Sequence, residues 1–443
     1  MHVLTCWWFR LFMVWGLMLW PLAAGAEAPG GWVEKHGAGL RTKLNQNQIL
    51  AFVPPSRGAF TFPAPYHTEA IRITDPSDCG GGSDCLSYVG YSYWRNTNNH
   101  TGSNEMLLFL SFDRRKGGTG PTLFRYDKSK DTIEKVGPLF NPISRFSWKT
   151  GEGWYFSATR PNKLYVNDGP KMLRYDVISH LFDTVFDITA TWGDDKYLWQ
   201  MHSSNDDVVH SATLRIESTG ERLGCVVYNE RQKRLSFFPK IGIFNECQVD
   251  KSGRWLISLE DVDGRYRDDM RIFDLSNNTE VRRILDQDGA VTHGDLGYGY
   301  VVGADNWNAL PNATVLWSFG PPVRRGPVVH HNFNWNLGML SHLSHANAKP
   351  NLPMNKQYAC GSNADRSGVQ NEIACVLLDG SNKNLIVAPV MTNMETQGGQ
   401  TDYGKVPKGN LDITGRYFIW TTNVSGNRLE AFLVKIPYQL LTD

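Results

Sequence analysis

MRIFDLSNNTEVRRIL, Met270 to Leu285, is an alternating apolar run, a polar Asn-rich turn and a second alternating run, the signature of a β-hairpin. The phrase recurs as TLFRYDKSKDTIEKV (Thr122 to Val136), MLRYDVISHLFDTVF (Met172 to Phe186), CVVYNERQKRLSFF (Cys225 to Phe238) and CVLLDGSNKNLIVAP (Cys375 to Pro389). A weaker unit lies near Val315 to Phe319. Units repeating at about 45 to 60 residues, each with room for four strands, mark the blades of a β-propeller. A β-sandwich is the alternative, but it does not account for so long a repeat. The expected fold class is all-β, a single β-propeller of seven four-stranded blades. No linker, low-complexity tract or charge block divides the chain after its leader, so one domain is expected over residues 27–443. Within it, 27–60 is expected to be partly extended, with the ring-closing strand inside Gln46 to Pro54. The end of the chain, Gly415 to Pro437, reads as a nearly complete last blade.

A second phrase precedes the hairpins. Glu246-Cys-Gln-Val-Asp-Lys-Ser-Gly-Arg-Trp255-Leu-Ile is echoed by Lys408-Gly-Asn-Leu-Asp-Ile-Thr-Gly-Arg-Tyr417-Phe-Ile. Both resemble the HPSWSPDGKWI segment of TolB-like and oligogalacturonate-lyase-like propellers, an architectural likeness that covers most of the mature chain. The resemblance implies that the polar residues open the innermost strand of each blade and that Asp/Ser-x-Gly makes the turn. It also implies a ligand at the mouth of the central channel, where the blades converge.

The first residues point to export. Leu11 to Leu22 (LFMVWGLMLWPL) follows Arg10 and precedes the small-x-small triplet Ala24-Gly25-Ala26, so residues 1–26 read as a signal peptide. A membrane anchor is disfavoured, because the run is shorter than the roughly 20 apolar residues that span a bilayer and contains Pro21. A secreted or periplasmic protein without integral membrane association is expected. Six cysteines remain after the leader, and their proximity favours the disulfides Cys79–Cys85, Cys225–Cys247 and Cys360–Cys375. A thiolate zinc site lacks the CxxC spacing it needs. The net charge of +1 argues against a nucleic-acid partner held by bulk electrostatics. No P-loop, GxSxG, HExxH or Rossmann fingerprint occurs, so no nucleotide cofactor is expected.

The echoed phrases align Glu246 and Gln248 with Lys408 and Asn410, with His293 and Asp295, and with His345 and Asn347. Five of the twelve histidines lie between His293 and His345, and His202 and His210 flank another polar stretch. His293, His342, His345 and Glu246 are candidate ligands of a divalent metal ion such as manganese, calcium or zinc, since imidazole and carboxylate suit such ions. Paired strand-end histidines bonded to backbone would look the same in sequence.

The family resemblance implies β-elimination on a uronate glycan, in which a base takes the C5 proton while a metal or Arg neutralises the carboxylate. Oligogalacturonate lyases hold manganese with several His and a Gln, and that pattern has no residue-by-residue match here. His293 or His345 is the candidate base, Tyr298 the candidate acid, and Arg366 and Arg325 the candidate carboxylate clamps. Lys408, Asn410, Trp307, Trp335 and His202 are candidate contacts to a polysaccharide or oligosaccharide. Trp94 and Trp199 also sit in polar stretches, whereas Trp255 and Trp420 lie in strands and read as packing. A monomeric lyase is one reading, and a non-catalytic propeller that binds a glycan or a protein is the other. A hydrolase or oxidoreductase on the same scaffold ranks below both.

Overall fold

The computed structural model of the chain describes residues 30–34, 46–87, 89, 91–140, 146, 153–265, 267–305, 309–310, 313–331, 342–362, 364, 372–399, 401–424 and 427–442. The expected leader, Trp307, Trp335 and Arg366 lie outside these residues. Seven antiparallel sheets form a seven-bladed β-propeller. The innermost strands of blades 1 to 7 are Thr97–Asn98, Tyr155–Phe156, Lys196–Ser203, Ile243–Val249, Thr292–Leu296, His342–Ser344 and Asn410–Leu411.

Each blade is covered on both faces by its neighbours, which is why its middle strands carry long apolar runs. Glu105–Phe112 (EMLLFLSF) is buried at every position but the first. Trp255, Ile257, Leu259 and Met270 of blade 4 pack with Val301, Val315 and Trp317 of blade 5 in one cluster. The outermost strands face water on one side and alternate instead, as in Thr132–Pro138.

Blade 7 closes the ring with both ends of the chain. Its inner strands, Asn410–Leu411, Tyr417–Thr422 and Glu430–Lys435, continue into Glu69–Arg72 and then Gly58–Thr61. The closing ladder pairs Ala70 with Val434, Ile71 with Leu433 and Arg72 with Phe432. Gln46–Ala51, expected to lie within the closing segment, is instead a short helix. Its QNQILA composition lacks β-branched alternation, whereas EAIR at Glu69–Arg72 offers Ala70 and Ile71 for burial. Trp32–Glu34 adds a fifth strand outside blade 6, against Asn384–Pro389.

The echoed phrases do the same structural work in two blades. Asp250 Oδ1 accepts the amides of Arg254 and Trp255, and its Oδ2 accepts the Gly299 amide of blade 5. Asp412 Oδ1 accepts the Tyr417 amide, and its Oδ2 accepts from Asn99 Nδ2 of blade 1. Gly253 and Gly415 follow at φ of +73° and +76°, where a side chain would be strained. Each aspartate therefore caps its own turn and ties its blade to the next.

The three disulfides expected from sequence proximity are all formed. Cys225–Cys247 joins the third strand of blade 3 to the inner strand of blade 4, and Cys360–Cys375 crosses two strands of blade 6. Three disulfides fit an oxidising compartment, and among the described residues no helix is long and apolar enough to cross a membrane. Replacing Cys225 and Cys247 together by Ala is expected to lower stability by about 3 kcal/mol, because the bridge closes a 22-residue separation. Removing Cys79–Cys85, which closes only 6, should lower it by about 2 kcal/mol. Guanidinium denaturation of the two variants checks the order, and a reversed order contradicts it.

Candidate functional site at the propeller axis

The inner strands do not run evenly. Register slips by one residue between Trp199 and His202 in blade 3, between Phe244 and Glu246 in blade 4, and between Thr292 and Asp295 in blade 5. Each slip is a β-bulge, a device that re-aims side chains. Gln200 and His293 within two of them have φ of +49° and +50°, a backbone region uncommon for such residues.

The strands bring Glu246, His293, His342 and Lys408 into one neighbourhood with Tyr91 and Tyr93. The imidazoles of His293 and His342 lie 5.0 Å apart between centroids. Tyr91 stacks on His293 at 6.1 Å and meets His342 edge-on at 5.1 Å, with His342 Nε2 3.2 Å from its hydroxyl. Tyr93 donates to both oxygens of Glu246, at 2.7 and 2.9 Å, and Gln248 Nε2 donates to Oε1 at 2.9 Å. Lys408 Nζ donates to the Val406 carbonyl at 3.0 Å and to the Tyr403 carbonyl.

Burial controls the protonation of this group, since removal from water penalises the charged form. It draws His293 down to about 4, with Lys408 adding to the effect, and holds His342 well below its ordinary value. It also lowers Lys408 to about 7. Above pH 5 His293 is therefore neutral and able to accept a proton, and burial favours the neutral form of His342 as well. His293 and Tyr93 are half-buried, whereas Glu246, His342 and Lys408 are buried.

Beside His293 runs a groove of about 280 Å³ lined by Arg222, Arg267, Asn245, Asp268 and Thr292. Arg222 Nη1 donates to the Phe244 carbonyl and to Asn245 Oδ1, both at 3.2 Å. Asn245 Nδ2 donates to Asp268 Oδ2 at 2.8 Å, while burial raises the Asp268 carboxyl. The groove thus joins two guanidiniums, the carboxyls of Asp268 and Asp261 and a neutral imidazole.

Other expected site residues lie elsewhere. His345 is fully buried between blades, with Nε2 2.7 Å from the Tyr300 hydroxyl and Nδ1 3.0 Å from the Tyr358 carbonyl. The axial position assigned to it from the echoed phrase belongs to His342, three residues earlier. Asn410 is held by Asn96, whose amide donates to Asn410 Oδ1 at 3.2 Å and whose Oδ1 accepts from Asn410 Nδ2 at 2.9 Å. Arg325 is exposed on the outermost strand of blade 5, and Tyr298 sits in the turn beyond the end of the inner strand that begins at Thr292. Neither shares the groove with His293. Trp94 is buried and donates to the Met201 carbonyl, and Trp199 lies under Arg215. His202 is buried at the axis, 5.3 Å from Tyr93 and 5.4 Å from Trp94 between ring centroids. His210 is spent on Ser203 and Glu230.

Sequence reasoning missed Tyr91, Tyr93, Arg95, Arg222 and Arg267. The cue for the first three was YSYWRN, Tyr91 to Asn96, directly before the first inner strand. Nothing in the sequence marks the two arginines, which come from different blades.

The expected metal ligands do not form a set. Among the described residues, only Asp261, Asp263 and Asp269 bring three such ligand atoms within 4.8 Å of one another. That trio could accommodate a cation, but Asp261 Oδ1 already accepts the Gly264 and Arg265 amides, and Asp269 accepts those of Val262 and Asp286. His293, His342, His345 and Glu246 are divided between the axis and the interior of the blade 5–6 boundary, so no step is derived through a metal they would share.

No family model matches the chain, and no curated protein matches it by sequence. Solved structures do match in fold. An oligogalacturonate lyase from Vibrio parahaemolyticus aligns with TM-score 0.56 at 8% identity, over 87% of this chain and all of that one. An oligogalacturonate lyase solved in complex with manganese aligns with TM-score 0.57 at 12% identity, over 88% of this chain and 98% of that one. TolB from Acinetobacter baumannii aligns over 64% of each chain at 13% identity, with TM-score 0.37. The chain therefore has the fold of the oligogalacturonate-lyase propellers, at identities that carry the fold alone.

Proposed function

We propose that this chain is an exported, monomeric carbohydrate-active propeller, a polysaccharide lyase that cleaves an acidic glycan by β-elimination in the groove beside His293. The observation that carries this reading is a neutral, half-buried imidazole opening onto a groove with two guanidiniums. Arg222 and Arg267 neutralise the uronate carboxylate, which makes the C5 proton acidic enough to remove. His293 accepts that proton, the released pair forms the C4–C5 double bond, and the C4–O bond breaks. Asp268 is the acid we assign to the departing oxygen, since its carboxyl is raised by burial in the same groove. The likeness in fold to oligogalacturonate lyases supports a uronate substrate. A binding-only propeller is the second reading, and what favours it is the burial of Glu246, His342 and Lys408.

The assay is ultraviolet absorbance of unsaturated uronate over a panel of acidic glycans, with and without chelator. His293→Ala should lower kcat by about 10²–10⁴-fold, the range for loss of a general base. Binding of a glycan with no unsaturated product from any substrate would establish the second reading, and loss of activity on chelation would replace the arginine route by a metal one.

The pH dependence has a definite sign. A base that ionises at about 4 works when deprotonated, so kcat/KM should fall about tenfold per unit below that value, and it should fall again on the alkaline side as the raised Asp268 carboxyl loses the proton it donates. An acid limb centred near 6.5 would show that His293 is not the base.

A further inference from the structure

We propose that the lower tier of the propeller axis binds one small monovalent anion, held by Arg95 and His202, independently of the reaction proposed above. Arg95 is only 6% exposed, and the hydrogen bonds its guanidinium makes go to a backbone carbonyl and not to a carboxylate. Its Nε and Nη2 both donate to the Phe156 carbonyl, at 3.2 and 3.1 Å, and its guanidinium lies 5.8 Å over the Tyr155 ring. A buried guanidinium without a counter-charge is among the most costly arrangements in a protein interior, so an anion beside it is strongly favoured. His202, 7% exposed, faces the same cavity with an Nε2 that has no hydrogen-bond partner.

The other polar groups there are already engaged. Lys251 Nζ donates to Asp295 Oδ1 at 2.6 Å, and Asp295 Oδ2 accepts the His345 amide at 2.6 Å. Ser203 Oγ is shared between the Tyr155 hydroxyl, at 2.5 Å, and His210 Nδ1, at 2.6 Å. Glu246 is engaged by Tyr93 and Gln248. What remains without a close partner of its own is the outer edge of the Arg95 guanidinium and one imidazole nitrogen, around a cavity of about 20 Å³. That space holds an atom-sized occupant and excludes sulfate or a sugar ring. Gln248 Oε1 is an unpartnered acceptor on the same lining and defines the competing occupant, a water bridging Gln248 and His202.

The test uses the full mature protein. Crystals soaked in sodium bromide are expected to show an anomalous peak between the Arg95 guanidinium and His202 Nε2. Chloride should raise Tm by about 2 °C over methanesulfonate at equal ionic strength, because only an ion that fits stabilises the folded state. Arg95→Gln should abolish that shift and Arg95→Lys should retain part of it. Acetate, too large for the space, should leave the bromide peak unchanged, and displacement of bromide by acetate would contradict an atom-sized site. A cavity filled only by water, with no anomalous signal and no chloride dependence in the unaltered protein, overturns the proposal whether or not the variants fold.

Discussion

The ladder between Glu69–Arg72 and Glu430–Lys435 is the constraint on which the rest depends. A propeller blade buries both faces only if it has a neighbour on each side, so an open array would leave two large apolar surfaces in water. Closing the ring removes them. Around the ladder, Arg72 pairs with the buried Glu430, and Ala431 exchanges hydrogen bonds with Ile73 and Thr74. The cluster beneath it joins Ile71, Ile419, Ala431 and Leu433 of blade 7 to Met106, Leu108 and Phe124 of blade 1. Gly58–Thr61 and Glu69–Arg72 are thereby built into one sheet with the last three strands of the chain.

Closure forces seven strand openings toward one axis, and that geometry sets the chemistry available there. Polar residues at the starts of the inner strands must share a confined volume, where each loses water. The consequence is visible in His293, drawn down to about 4, and in Lys408, lowered to about 7. The same crowding positions Glu246 through Tyr93 and Gln248. The bulges in blades 3, 4 and 5 turn these side chains from strand positions into a cluster, at the cost of positive φ at Gln200 and His293.

The groove and the lower cavity arise from one architectural fact at two depths. Where the inner strands of blades 4 and 5 begin, a groove reaches His293. Where the inner strands of blades 3, 4 and 5 end, only an atom-sized space is left next to Arg95. The upper level can admit part of a sugar, whereas the lower level can admit nothing larger than an ion or a water.

Much was determined by the sequence alone. Alternating hairpins recurring at blade length imply the propeller, because only a structure with many equivalent neighbours makes use of such a repeat. The Asp-x-Ser/Thr-Gly-Arg turns at Asp250 and Asp412 imply their caps, since those interactions are local. The disulfides follow from proximity along the chain. The tertiary structure alone decided which strand closes the ring, which arginines reach the site, and that His342 instead of His345 faces the axis. The physical reason is register: side chains alternate in a strand, so bulges and strand ends decide which residue points inward. In blade 6 that choice rests on pairing His342 with Ser362, twenty residues on, and no local pattern reveals it.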